Sequence, residues 1–293
     1  MARSSGTATE SAGLGIRTFW RGMVAAGVGN ALESYDFAVY GFLTPVIAVV
    51  FFPSKDVFVG LLSAFAVFAV GFGMRPLGAI LFGILADRRG RRTALIAVIM
   101  TMGVATLAVG LVPPYAQVGV LGPVLLVAAR SAQGVAVGGE FGTSAPFVVE
   151  YAPRSRRGMW GSVTYVGSGI GNALAAAVVL GVTLLVARHD LQAWGWRVPF
   201  LLGFPLVAVG FYMRLRIEET PSFETIRAAR GQARSPLLEA ARHHWREMLV
   251  VVGAVLAFAV TAYTVLTFML TYLSSVRGLS KTVALLLVLV AIL

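Results

Sequence analysis

Long apolar runs recur along this chain, and they limit what it can fold into more than any other feature. A helix needs ~20 mostly apolar residues to cross a bilayer. Stretches of that kind occupy residues 22–52, 57–86, 93–112, 120–149, 158–187, 197–216 and 247–275. An eighth starts near Lys281 and is still apolar at Leu293. Hydrophobic residues make up 58% of the 293 and charged ones 13%, against about 45–50% and about 25% in a soluble domain. A water-soluble fold of this length could not enclose so much apolar surface, whereas a bilayer removes the difficulty. The expectation is an all-α polytopic membrane protein, represented by its N-terminal portion and cut inside the eighth helix.

The polar segments between these runs set topology. Seventeen of the 24 Lys and Arg fall at the N-terminus or in even-numbered loops, which places the N-terminus in the cytoplasm. Residues 1–20 hold no apolar stretch of signal-peptide length and read as a polar cytoplasmic tail. Residues 21–216 then form a six-helix bundle. Residues 217–246 form a cytoplasmic linker, in which Thr220-Pro221 and Ser235-Pro236 signal two short amphipathic helices. Residues 247–293 begin a second bundle. The net charge of +11 does not indicate nucleic acid, because the basic residues sit in short clusters between apolar runs. The chain has no cysteine, which excludes disulfides, thiolate chemistry and cysteine metal sites. Three histidines, His189, His243 and His244, lie in loops and suggest no metal set. Glycines spaced in fours, Gly134/Gly138/Gly142 and Gly167/Gly171, allow close helix approach, for tight packing or for sliding contacts.

Chemistry concentrates where charge is least expected. Glu33, Asp36, Arg75, Arg130 and Glu140 all lie well inside spans. Each costs ~2.5–3.5 kcal/mol at a lipid-facing bilayer centre, so together they must face the bundle interior. Structural ion pairing and a water-lined pathway both satisfy that demand. Glu33 and Asp36 are three apart and share a helix face, where Arg75 of the next span can reach either. Arg130, Gln133 and Glu140 share a face of the fourth helix, and Arg130 with Gln133 could donate to a substrate carboxylate. Arg130 stays charged at any physiological pH. Glu140 is roughly 15 Å from it along the helix, so its partner is an acid from another helix or a substrate carboxylate. Three carboxylates face two guanidiniums, which leaves one carboxylate incompletely paired, as a proton-coupling site requires. Asp36 is the first choice for that role, with Glu33 and Glu140 as alternates. On the seventh helix Tyr263, Thr267 and Thr271 recur every fourth residue as a polar stripe, for substrate contact or for helix–helix hydrogen bonds.

After the second span the chain reads Gly83-Ile-Leu-Ala-Asp87-Arg88-Arg89-Gly90-Arg91-Arg92. This resembles the GxxxDRxGRR signature of the major facilitator superfamily, in the loop where that family carries it. Further segments resemble its metabolite:proton symporter branch: Asn30–Phe37, Met74–Gly78, Ala129–Gly134 with Val137–Glu140, Trp194–Phe200 and Glu218–Phe223. The resemblance implies a twelve-helix secondary transporter working by alternating access. It implies a cytoplasmic gating motif of Gly83, Asp87, Arg88, Gly90, Arg91 and Arg92, joined by Glu150 and Arg157 in a charge network. It also implies a substrate among organic acids, amino acids or betaines. The partners are then a small molecule and the lipid bilayer, in the inner cell membrane, with no nucleic acid. No cofactor is implied, only a proton as coupling ion. The glycine-rich Gly167–Asn172 segment lacks the Gly-Pro pair of exporting antiporters, which favours import by symport. The rivals are an exporter or uniporter on the same scaffold, a membrane receptor, and a membrane-embedded enzyme. No Ser/His/Asp set near an interface supports the last of these.

Overall fold

The computed structural model describes residues 5–152, 154–215, 242 and 244–292. The expected amphipathic helices of the 217–246 linker therefore lie almost wholly outside the described residues. Among the described residues, nine long helices carry the fold: α1 (Ser5–Phe51), α2 (Val57–Gly73), α3 (Arg75–Arg89), α4 (Arg91–Leu111), α5 (Leu121–Tyr151), α6 (Arg157–Leu185), α7 (Arg197–Leu215), α8 (Trp245–Tyr263) and α9 (Lys281–Ile292). Helices α2 and α3 form one span from Val57 to Ala86, interrupted only at Met74. Pro76 lies in the first turn of α3, where its missing N–H costs nothing. The hydrogen bonds Met74 N–H to Val70 O and Gly78 N–H to Met74 O carry the ladder across. Among the described residues, seven segments are long and apolar enough to cross a membrane, and their bounds match the seven runs of the sequence to within a few residues, apart from earlier ends in the fourth and seventh. Helix α1 begins at Ser5, so much of the expected polar tail continues the first helix.

Packing explains why the runs are apolar on every side. Helix α1 is the central element and packs against α2, α5, α6 and α7. The outer faces of the other helices leave large apolar side chains open, such as Leu62, Val104, Ile170 and Val250. Soluble monomers rarely expose contiguous apolar surface on this scale, whereas lipid tails accept it. Because successive spans run in opposite directions, the charge-rich segments at 87–92, 154–157 and 244–246 fall at one end of the bundle, hereafter the arginine-rich end. Trp20 and Trp160 meet edge to face near that end, 5.2 Å between centroids, as aromatic residues do at a membrane interface.

Glycine spacing lets two helix pairs meet closely. A side chain at Gly134 or Gly138 would strike the backbone of Gly71 or Arg75, and one at Gly78 would strike Val135. The second span and α5 thus meet backbone to backbone. In the same way Gly167 and Gly171 of α6 lie on the carbonyls of Gly27 and Ala31 in α1. Without a hydrophobic drive between helices in lipid, close approach of this kind is what holds them.

Beyond Tyr263 the seventh span departs from α geometry. Residues Thr264–Phe268 and Tyr272–Val276 are π-helical, flanking a short α turn at Met269–Thr271. The bonds Met269 N–H to Thr264 O and Arg277 N–H to Tyr272 O each span five residues. Each π turn shifts the helical phase and so changes which residues share a face. Tyr263 faces an aromatic cluster, Thr271 is buried with no hydrogen-bond partner for its hydroxyl, and the Thr267 side chain lies outside the described set.

Candidate functional site

Among the described residues, three buried ion pairs stand inside the bundle. Arg75 Nη2, at the start of α3, lies 3.4 Å from Glu33 Oε1 on α1. Arg130 Nη1 of α5 lies 3.3 Å from Asp36 Oδ2 on α1. Arg214, in the last turn of α7, pairs with Glu140 of α5 and donates to Leu95 O of α4 at 2.8 Å. Arg214 is one of the seventeen basic residues counted above toward the cytoplasmic side, yet its side chain is buried. Its presence changes the count of three carboxylates against two guanidiniums: among the described residues, Glu33, Asp36 and Glu140 each have a guanidinium partner. Of the two partners open to Arg130, the structure shows the acid from another helix. A neighbouring helix supplies an acid, so its charge does not by itself demand a substrate carboxylate.

The three pairs are not equivalent. Asp36 sits in a closed network from three helices. Thr106 Oγ1 of α4 donates to Asp36 Oδ1 at 2.9 Å, Gln133 Nε2 donates to Thr106 Oγ1 at 3.0 Å, and Arg130 Nη1 also donates to Gln133 Oε1 at 2.7 Å. Arg130 is fully buried, and its Nε and Nη2 have no hydrogen-bond partner. The Glu33–Arg75 pair is looser. Glu33 Oε2 and Arg75 Nε are buried without a hydrogen-bond partner, and the 3.4 Å approach of Nη2 lacks hydrogen-bond alignment. Glu140 is the most tightly held, packed with Arg214 against Gly29, where a side chain would collide with both.

Aromatic rings replace the missing polar partners. The Arg130 guanidinium lies over Tyr40 at 4.3 Å and Phe37 at 4.5 Å, and Arg75 lies over Phe72 at 4.2 Å and Phe37 at 4.7 Å. A desolvated cation on an aromatic face gains on the order of 2 kcal/mol. Phe68 joins Phe37, Tyr40 and Phe72, and Tyr263 of α8 closes the cluster against Phe72 at 4.8 Å. The structure therefore brings Glu33, Asp36, Arg75, Arg130, Gln133 and Tyr263 into one neighbourhood between α1, the second span, α5 and α8. Glu140 stands apart with Arg214. Sequence reasoning missed Thr106, Arg214 and the aromatic walls. A lone threonine in an apolar helix looks like any hydroxyl bonded to its own backbone. Phenylalanines in a span look like lipid-facing residues.

The loop motif is only partly visible. The side chains of Asp87 and Glu150 lie outside the described set, and with them the expected charge network. Gly90 joins α3 to α4 with φ 96°, a conformation that favours glycine. Arg92 Nη2 donates to Leu215 O at 2.8 Å, which ties the start of α4 to the end of α7. Gly83 faces open space, and Arg88 and Arg157 are exposed.

Comparison with known proteins agrees with this architecture. Residues 22–249 match the family described as sugar (and other) transporter. The glycine betaine/proline/ectoine/pipecolic acid transporter OusA of Dickeya dadantii is 41% identical over 266 residues, covering 87% of this chain and 52% of that protein. A proline/betaine transporter of Salmonella typhimurium is 40% identical over 263 residues, covering 87% and 53%. The chain spans about half the length of these curated relatives. Among solved structures, a partially occluded inward-open form of the E. coli xylose transporter XylE superposes with TM-score 0.71 at 17% identity, covering 94% of this chain and 68% of that one. With the family model matching residues 22–249, the chain belongs to the sugar (and other) transporter family.

Proposed function

We propose that this bundle forms the coupling half of a secondary transporter, which imports a small zwitterionic solute together with a proton by alternating access. The observation that carries the reading is the fully buried Asp36–Arg130 pair with Thr106 and Gln133 closed around it. Protonation of Asp36 would release Arg130, whose Nε and Nη2 already lack partners. A guanidinium freed in a dry site seeks a bidentate anion, and a solute carboxylate supplies one. The aromatic rings of this cluster suit the onium group of the same solute. The relatives named for proline and betaine support this class, since both solutes carry a carboxylate and a cationic nitrogen. The arginine-rich end is cytoplasmic in this reading, and the loop around Gly90 controls conformational exchange rather than affinity.

The test uses membrane vesicles holding the complete carrier built on this bundle. An inward proton gradient should drive accumulation of radiolabelled proline or glycine betaine, and a protonophore should abolish it. Asp36→Asn should lose gradient-driven accumulation while counterflow exchange continues. Unchanged accumulation in that variant would remove Asp36 from the coupling role.

A further inference from the structure

The hydrogen bonds around Asp36 form a closed ring, and their directions are set by what each group can do. A guanidinium only donates and an ionised carboxylate only accepts. Gln133 therefore turns Oε1 to Arg130 Nη1 at 2.7 Å and Nε2 to Thr106 Oγ1 at 3.0 Å, and Thr106 passes its one hydrogen to Asp36 Oδ1 at 2.9 Å. The same Arg130 nitrogen lies 3.3 Å from Asp36 Oδ2, so Oδ2 and Gln133 Oε1 are gathered on one cation. All four side chains are buried, and a group released here finds its next partner inside the ring. Among the described residues, the titratable and charged groups around Asp36 are Glu33, Tyr35 and Tyr40 on its own helix, Arg130 from α5, Arg75 from α3 and Tyr263 from α8. Thr106 of α4 and Gln133 of α5 do not titrate.

When Arg130 leaves for a solute, the contacts that remain are Asp36 with Thr106, Thr106 with Gln133, and Gln133 with Asp36. Each needs a hydrogen. The Thr106 hydroxyl supplies one, and the Gln133 amide, a donor at one end only, supplies another. An ionised Asp36 therefore leaves a pair of acceptors facing each other in a dry site, which penalises the departure. A proton on Asp36 provides the missing hydrogen. Asp36 Oδ1–H then donates to Thr106 Oγ1, the Thr106 hydroxyl to Gln133 Oε1, and Gln133 Nε2 to Asp36 Oδ2. Every direction has reversed, and the Gln133 amide has turned over. We propose that Thr106 and Gln133 are positioning residues through which the ring exchanges the Arg130 guanidinium for a proton, one for one. This rests on Asp36 as the coupling acid, and it adds what stops Arg130 from leaving without a proton. A Thr106 hydroxyl turned instead to the Met102 carbonyl, one helical turn back, would leave Gln133 Oε1 against Asp36 Oδ2 with no donor between them. The amide turn satisfies both.

The experiment uses the complete carrier in phosphatidylcholine nanodiscs, with its glutamine side-chain carbonyls isotopically labelled and proline as the solute. Infrared difference spectra between neutral and acidic pH should show a shifted glutamine carbonyl band, assigned to Gln133 by its loss in Gln133→Met. The shift should vanish in Asp36→Asn and Thr106→Val and return in Thr106→Ser. Proline affinity should rise about tenfold for each pH unit of acidification in the parent, as one proton per solute requires. In Thr106→Val and Gln133→Met that rise should fall to about threefold or less, and Thr106→Ser should restore it. A glutamine band that does not move in the parent would overturn the proposal, even where Thr106→Val fails to fold. A parent-like pH effect in both Thr106→Val and Gln133→Met would overturn it while leaving Asp36 in its coupling role. Proline affinity that ignores pH in the parent would overturn that role and this proposal together.

Discussion

Glu140 and Arg214 show how much a single buried charge depends on its partner. They sit 74 positions apart in sequence, on α5 and α7, and both are nearly fully buried. Removing one partner of such a pair strands the other and costs ~3–5 kcal/mol, whereas replacing both with apolar groups of similar size is often neutral. Arg214→Met and Glu140→Gln should therefore each lower unfolding stability in detergent by that amount, and Arg214→Met with Glu140→Leu should regain most of it. Two single variants as stable as the parent would show that this pair holds nothing. The charge of Glu140 was legible in the sequence, because an acid inside an apolar run must face inward. Its partner was not, because an arginine in the last turn of a span reads the same whether it anchors at the interface or folds back. Asp36 and Arg130 posed the converse problem: each was singled out, and only the packing of α1 against α5 showed that they meet.

Helices were the most legible elements, since length and hydropathy alone fix where a chain can cross a bilayer. The four-residue glycine spacing was legible as well, though not its partners. The structure separates glycines that matter from glycines that do not. Gly138 and Gly171 meet neighbouring backbone, while Gly169 faces open space. Gly138→Val and Gly171→Val should each push a helix pair apart and abolish folded, monodisperse protein in size-exclusion chromatography. Gly169→Ala should behave as the parent does. Equal tolerance of all three would mean that the backbone contacts are not what holds the bundle. The π turns of the seventh span were invisible in the sequence, because hydropathy does not distinguish a helix of 3.6 residues per turn from a locally wider one.

At the scale of the whole molecule the clearest question is which end faces which side. The absence of cysteine from the chain gives a clean background for accessibility reporters. Ser54→Cys, at the arginine-poor end, should react with an impermeant maleimide on intact cells, and Ser155→Cys should react only after permeabilisation. The reverse pattern would overturn the cytoplasmic placement of the arginine-rich turns. The cores of the three membrane hairpins and their order were readable from apolar length, but how they converge was not, since convergence is decided by backbone contacts scattered over the sequence. The seventh span adds a mechanical property of its own. Its two π turns bracket Met269–Thr271, and moving a π turn by one position re-phases only the residues it passes. If both turns shift in concert, the bracketed segment rotates about the helix axis while the two ends keep their facing, as a vernier moves between fixed scales. Deleting one residue within 264–268 should convert that turn to α geometry, with membrane insertion intact by protease protection. It would leave Thr271 and its unpaired hydroxyl locked in a single setting.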